Sequence, residues 1–248
     1  MPAVTDLTIV VPAYNEALGI EATVNELRAF LCTQPWTWEI RVVDDGSSDR
    51  TAELVEAMER ADPRITLQRE PHRGKGAAVR AGFLTSTAAH RFLCDADLSM
   101  PVRELARFMP PALGKADIAI GTREGTGARR VGEPLIRHLA GRAFNAIVRT
   151  LTVPGIQDTQ CGFKMFTAAA VEAIFPHLTV DGWAFDIEVL YLARLRGLRV
   201  QEVPIEWHFR ADSRLRMFPD SIRMLREVFR IRHGARRGVY EIGRRTGR

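Results

Sequence analysis

The sequence predicts an α/β fold, a mostly parallel sheet flanked by helices, with amphipathic helices towards the C-terminus. Three observations carry this. Short apolar runs rich in Val, Ile and Leu alternate with segments of helical periodicity, the pattern of strand–helix–strand units with right-handed crossovers. Successive apolar runs end abruptly in carboxylates, glycines or prolines, which gathers polar groups along one edge of the sheet. The chain has 248 residues, 46% hydrophobic and 26% charged, enough for a sizeable core, and it contains no internal repeat or low-complexity linker.

Residues 7–11 form the first strand, ended by Pro12, and Ala13-Tyr14-Asn15-Glu16 leads into a helix reaching about Leu31. The second strand, 40–43, runs directly into Asp44-Asp45-Gly46-Ser47-Ser48-Asp49, where Ser48 or Asp49 can cap a helix over 50–61. After a third strand at 65–68, Pro71-His72-Arg73-Gly74-Lys75-Gly76 opens an alanine-rich helix to about Ala88. The fourth strand, 91–94, is apolar enough to be buried on both faces and ends in Asp95-Ala96-Asp97-Leu98-Ser99, with Ser99 placed to cap a helix beginning near Pro101. A fifth strand at 118–120 ends in Gly121-Thr122-Arg123, and helices follow over 134–152, 183–196 and 219–235. Residues 1–210 read as one domain, and 211–248 as a basic amphipathic helix and tail packed on it or lying at a membrane.

Each polar loop has a plain structural reading beside a chemical one. Two carboxylates one residue apart at a strand end are expensive without a positive partner; as hard oxygen ligands they suit Mg²⁺ or Mn²⁺ held against a diphosphate. Alternatively they belong to the cap of the next helix. The glycines around Lys75 let backbone amides meet a phosphate at a helix N-terminus, or merely make a turn. The spacing matches neither the phosphate loop of nucleoside triphosphatases nor the dinucleotide fingerprint. Asp44 and Asp45 suit a base imide or a ribose hydroxyl, because ionised carboxylates only accept; an Asx-turn would use one of them.

Composition removes several classes. No apolar run approaches the roughly 18 residues of a membrane span. The N-terminus lacks a basic region followed by an apolar stretch, so no signal peptide is expected. Cys32, Cys94 and Cys161 are odd in number and scattered, against a disulfide framework or zinc site and in favour of a reducing cytosolic setting. The net charge of +5 is uneven, since residues 207–248 hold 12 Arg and 4 acidic residues. A nucleic-acid binder is the reading of another class for that tail, but interleaved aromatics and helix-turn-helix or zinc patterns are missing, so no specific nucleic acid is expected.

Taken together, Pro12 to Glu16, Val43 to Asp49, Gly74-Lys75-Gly76 and Asp95-Ala96-Asp97 resemble the inverting nucleotide-sugar transferases of glycosyltransferase family 2. The stretch Asp158-Thr159-Gln160-Cys161-Gly162-Phe163-Lys164, followed by Trp183-Ala184-Phe185-Asp186-Ile187-Glu188, is similar to the dolichyl/polyprenyl-phosphate β-glucosyltransferase branch, relatives of the dolichyl-phosphate mannose synthases. The resemblance spans about residues 6–232. It implies a GT-A fold, a UDP- or GDP-sugar donor (UDP-glucose first, UDP-N-acetylhexosamine or GDP-mannose after it), a divalent cation and a polyprenyl phosphate acceptor.

Carried over by position, Pro12, Tyr14, Glu16 and Asp45 would hold the nucleoside, with Lys75 near the base or diphosphate. Asp95 would face ribose and metal, and Asp97 would ligate the metal. Ser99 stands where mannose synthases carry a further ligand, Gln. Arg123 and Arg137 match arginines that grip the lipid phosphate, as the planar guanidinium does well. Arg210, followed by Ser213 and Arg214, resembles a segment that closes over the diphosphate. Asp158 matches the carboxylate usually discussed as catalytic, yet a phosphate acceptor is already anionic near neutral pH, its second pKa being about 6, so Asp158 is expected to position the acceptor or fix the arginines. Glu188 would touch the sugar or Lys164, or serve as an ion-pair partner.

An acceptor with an isoprenoid tail stays in the bilayer, so peripheral attachment at the cytoplasmic face is expected. It would run through the helices at 134–152 and 219–235, by their apolar faces and by arginines on anionic lipid, or through an integral-membrane partner. Two other readings stand beside this one: a family 2 enzyme acting on a saccharide hydroxyl, which would need a true base and no lipid, and a nucleotide-binding protein that has lost catalysis.

Overall fold

The computed structural model describes residues 5–210 and 217–240. Strands β1 (Leu7–Ala13), β2 (Trp38–Asp44), β3 (Ile65–Arg69), β4 (His90–Cys94), β5 (Ile118–Thr122), β6 (Arg129–Val131), β7 (Phe163–Thr167), β8 (Val200–Pro204) and β9 (Glu206–His208) alternate with seven α-helices. These are α1 (Ile20–Leu31), α2 (Thr51–Ala61), α3 (Lys75–Thr85), α4 (Leu135–Leu151), α5 (Ala168–Ile174), α6 (Phe185–Leu195) and α7 (Met217–Arg236). Seven strands form one sheet in the order β3-β2-β1-β4-β7-β5-β8, while β6 and β9 pair separately.

The sheet is parallel except at β7, which runs antiparallel to both β4 and β5. Its first residue, Phe163, lies opposite Cys94 at the end of β4. The segment entering β7 therefore arrives at the edge that the other strands leave. The chain builds outward from β1 to β3 and then returns to place β4 on the other side of β1. Loops after β1 and β4 diverge at that reversal, where open α/β sheets hold their ligands.

Strand alternation sends side chains into two cores, one on each face. Ile9, Val11, Phe92 and Cys94 pack with Ile20, Val24 and Leu27 of α1 and Val55 of α2. Val10, Val43, Leu93 and Phe166 pack with Val79 and Phe83 of α3 and with Ile187 and Leu190 of α6. Helix α7 joins this second core through Met224, Val228 and Ile231.

Four strands, β6 to β9, lie outside the five read from the sequence. β7 carries Lys164 inside an otherwise apolar run, and β6 and β9 are three residues each, so none shows clear alternation. Helix α3 stops at Thr85 rather than near Ala88, because extended Ser86 is buried and donates its hydroxyl to Thr8 of β1. The helix expected after Pro101 is a 3-10 helix, Val102–Phe108, with no side-chain cap, so Ser99 does not cap it.

The two basic amphipathic helices differ. The face of α7 read as one apolar stripe divides, with Val228 and Ile231 buried and Ile222 and Phe229 exposed. In α4 only Val148 is buried; Leu135, Ile136, Leu139 and Ile147 are 70%, 80%, 57% and 48% exposed.

Candidate active site

The loop after β1 is stitched to the loop after β2. Asn15, with a left-handed φ of +52°, accepts the Ser48 amide at 2.7 Å, and its own amide donates to Ser47 Oγ. The Glu16 amide donates to Thr51 Oγ1 at 2.7 Å. Asp49 accepts the amides of Ala17 and Thr51, so it does serve the start of α2. Much of the acidic, serine-rich motif is thus a brace for Tyr14 to Glu16, and Pro12 sits inside β1 itself.

Asp45 is already engaged within the fold. It is buried, and its two carboxylate oxygens accept the amides of Arg73 and Gly74 at 2.9 Å each. His72 Nδ1 lies 2.9 Å from the same carboxylate, and its ring stacks on Tyr14 at 4.1 Å between centroids. Asp45 thus holds the loop and the aromatic pair in place. The glycines flanking Lys75 likewise answer to packing. A Cβ on Gly76 would lie 2.6 Å from Phe185 Cβ, and one on Gly74 2.7 Å from the Asp181 carbonyl oxygen. That carbonyl also accepts the Ala77 amide, which removes one first-turn donor of α3 from the phosphate cradle expected there.

At the end of β4 the chain turns tightly. Leu98 adopts a φ of +47°, a conformation costing a non-glycine residue about 1–2 kcal/mol. The turn is held by the Thr23 hydroxyl on the Ala96 carbonyl and by the Ser99 amide on Asp97 Oδ1, at 2.5 and 2.9 Å. Asp97 is exposed. Asp95 lies against Gly162, where a Cβ would fall 1.9 Å from Asp95 Oδ2; only glycine fits. Asp95 Oδ1 is buried without an aligned hydrogen bond, and Lys75 Nζ stands 2.6 Å away as an ion-pair partner. Burial alone would lower the Lys75 pKa, but Asp95, with Asp186 and Asp97 farther off, raises it above its usual value.

Two hard carboxylates at a strand end, one of them exposed and the other met by a single ammonium, fit a small divalent cation that keeps water and shares substrate phosphates. Among the described residues no group of three or more His, Cys, Asp or Glu side chains is arranged to hold a metal ion, so substrate and water would complete the shell.

Across the crevice, Asp158 and Arg123 consume each other. Asp158 Oδ2 accepts Arg123 Nε at 2.7 Å and the Arg123 amide at 3.1 Å, while Oδ1 accepts Arg123 Nη2 at 2.9 Å and the Gln160 amide at 3.2 Å. Four donors fill the acceptor capacity of a carboxylate. Burial would raise the Asp158 pKa, yet Arg123 holds it at about 2. Arg123 is also 5.3 Å from the Trp207 ring, and Arg137 on α4 lies 5.0 Å from that of Phe209. Arg210 is exposed just after Phe209; Ser213 and Arg214 lie outside the described residues.

Below the crevice lies a pair that the sequence reading missed. Lys164 Nζ, 1% exposed, is 2.6 Å from both Asp186 Oδ1 and the Cys161 carbonyl oxygen. Burial raises the Asp186 pKa, against the pull of Lys164 and Lys75. One signal was available: the chain carries 3 Lys against 32 Arg, and two of those lysines are these. Glu188 does not meet Lys164. It accepts the Thr179 and Val180 amides and the Thr179 and Tyr240 hydroxyls, fixing the turn that carries Trp183. Burial, and then Asp158, push the Cys161 thiol up to about 12, which disfavours its thiolate.

The profile of glycosyl transferase family 2 matches residues 8–175, which includes both carboxylate loops and Asp158. The chain belongs to glycosyl transferase family 2. Its similarity within that family runs to dolichyl-phosphate β-glucosyltransferases. It is 36% identical to the one named ALG5C from Trichomonas vaginalis, aligned over 97% of this chain and 75% of that protein. Identity is 34% to the enzyme of Dictyostelium discoideum (95% and 76%) and 32% to that of Saccharomyces cerevisiae (94% and 76%).

Among solved structures, mannosyl-3-phosphoglycerate synthase from Rubrobacter xylanophilus superposes with a TM-score of 0.68 at 19% identity, over 95% of this chain and 76% of that one. Glucosyl-3-phosphoglycerate synthase from Mycobacterium tuberculosis, in complex with Mn²⁺, UDP and glucosyl-3-phosphoglycerate, gives 0.64 at 18%, over 94% and 80%. The family 2 chain thus has the GT-A fold, with helices on both faces of its mostly parallel sheet.

Proposed function

We propose that this glycosyltransferase moves a sugar from a nucleotide diphosphate to polyprenyl phosphate, with inversion at the anomeric carbon, and that UDP-glucose is the donor. The observation that carries the reading is the saturation of Asp158. A saccharide hydroxyl must lose a proton as it attacks, and the carboxylate across the crevice is already bonded to four donors and ionised down to about pH 2. A phosphate monoester needs no such base. The names of the similar enzymes support the same acceptor class and, through it, glucose.

On this reading Tyr14, His72 and Glu16 border the nucleoside, with Asp45 setting their loops. Asp95 and Asp97 would hold Mg²⁺ or Mn²⁺, which when bound compensates charge on the departing diphosphate. The Mn²⁺ and UDP in the mycobacterial neighbour support that choice. Asp158 fixes the Arg123 guanidinium so that its remaining N–H groups face the acceptor phosphate with little reorganisation. Arg137 approaches from α4, whose exposed apolar side chains would enter the headgroup region and bring the lipid phosphate to the crevice. No helix among the described residues is long and apolar enough to cross a membrane, which suits peripheral attachment. Arg210 closes the donor side.

The test supplies purified protein with radiolabelled UDP-glucose, UDP-N-acetylglucosamine and GDP-mannose, Mn²⁺, and either dolichyl or decaprenyl phosphate or free saccharides. Label from UDP-glucose should enter a solvent-extractable, acid-labile lipid. Label appearing only on saccharide hydroxyls would refute the acceptor assignment.

A further inference from the structure

Two lysines lie beneath the crevice and are held differently. Lys164 is locked between Asp186 Oδ1 and the Cys161 carbonyl oxygen, 2.6 Å from each. Lys75 has one short contact, 2.6 Å to Asp95 Oδ1, with the Trp183 ring at 5.4 Å. Asp95 lies against Gly162, where a Cβ would be 1.9 Å from Oδ2, so the carboxylate occupies the space that the glycine leaves open. Oδ1, the oxygen without an aligned hydrogen bond, is the one that faces the ammonium.

A divalent cation bonds carboxylate oxygen at about 2.0–2.2 Å. An ammonium left 2.6 Å from the same oxygen would stand within a few ångströms of it, and repulsion at that range costs several kcal/mol even in a partly solvated site. The two cations compete for Oδ1 of Asp95. Lysine suits such exchange because its charge rides on a flexible four-carbon stem rather than a rigid fork.

We propose that Lys75 is the resident counter-ion of Asp95 and must leave this carboxylate, for the diphosphate of an incoming nucleotide, before a divalent cation can be ligated there. The inference rests on the reading of Asp95 and Asp97 as cation ligands. It makes cation and nucleotide binding mutually dependent: each raises the affinity of the other by one common factor. The metal site is built to fill only when the donor arrives.

The experiment titrates Mn²⁺ into the full chain, reading free Mn²⁺ by electron paramagnetic resonance, with and without UDP. It uses wild type, Lys75→Met, Lys75→Gln and Lys75→Arg, each first shown to be folded by circular dichroism. Wild type should bind Mn²⁺ alone weakly and at least tenfold more tightly with UDP. Lys75→Met and Lys75→Gln should bind Mn²⁺ alone at least tenfold more tightly than wild type, with the gain from UDP falling towards onefold. Lys75→Arg, which keeps a cation on Asp95, should stay weak.

Arg73→Met removes a neighbouring positive charge that does not touch Asp95 and should leave Mn²⁺ affinity within threefold. Equal gains in Arg73→Met and Lys75→Met would reduce the effect to the general field and overturn the exchange. So would unchanged affinity in both neutral Lys75 variants while wild type binds Mn²⁺ with UDP normally, and that outcome spares the cation reading. No Mn²⁺ bound by any protein with UDP present would overturn both.

Discussion

The two halves of the crevice handle charge in opposite ways. Around β1, β2 and β4, loops are braced by backbone amides and small hydroxyls, so that carboxylates remain at the rim: Asp97 is exposed, and Asp95 is matched by the Lys75 ammonium. Around β5 and β7 the charges are spent on one another, Asp158 on Arg123 and Lys164 on Asp186. The first half leaves carboxylate oxygens accessible, as the proposed cation site needs, and the second holds a fixed shape. A residue's charge therefore says less about its role than the number of donors already upon it.

The largest effect that would break this contrast comes from Asp158→Asn. It leaves the partly buried Arg123 guanidinium without its counter-charge, and losing hydrogen bonds to a charged group in such a place costs about 1.5–3 kcal/mol. Denaturant unfolding should show that loss, and turnover should fall sharply. A variant with near-normal turnover would take Asp158 out of the site. Asp97→Asn should instead leave stability within about 0.5 kcal/mol, as for other exposed positions, and lower kcat by roughly 10²–10³-fold. Initial rates at saturating Mn²⁺ and UDP-glucose check this.

Acid gives the next effect. The Asp158 carboxyl is held at about 2 against an ordinary 3.8, so its contribution is complete above pH 4 and disappears as the pH falls to about 2. The shift is worth about 2 kcal/mol, and unfolding curves between pH 5 and 2 should show a slope that Asp158→Asn reduces, the remainder coming from Asp62, which Arg64 also holds at about 2. The same low value predicts no acidic limb from this residue in kcat/KM between pH 5 and 8.

Smaller still, Ile136→Asn on α4 should weaken sedimentation with anionic vesicles by about tenfold, since withdrawing one such side chain from an apolar phase costs about 1.5 kcal/mol or more. Ile222→Asn on α7 should change it by less than about threefold, because α7 already spends Met224, Val228 and Ile231 on the protein's own core. Equal losses from both would erase the distinction between the helices.

Much of this architecture was legible because local pattern and tertiary fate agree. The first five strands and the helices beside them are apolar runs punctuated by turn residues, and each was placed within a few positions. β7 was not, because Lys164 interrupts its apolar run and the loop before it reads as a motif rather than an approach to a strand. In the candidate site, Asp95, Asp97 and Lys75 announced themselves as polar residues at strand and helix ends. What the sequence could not convey is which acceptors are already filled. Asp45 and Asp158 look as available in the text as Asp97, and only the fold reveals the amides of Arg73 and Gly74, or the fork of Arg123, upon them. The two faces of α7 fail to declare themselves for the same reason, since a stripe does not say what it meets.

The clasp between Arg123 and Asp158 has a further consequence. It joins the residue leaving β5 to the segment approaching β7, so the whole excursion from 124 to 157, α4 included, departs and returns at one pinned point. The excursion is sewn in elsewhere too: β6 pairs with β9, and Val148 and Val153 sit in the second core. What is left without such ties is the outward side of α4, so its greasiness can drift while the nucleotide-facing frame stays in register.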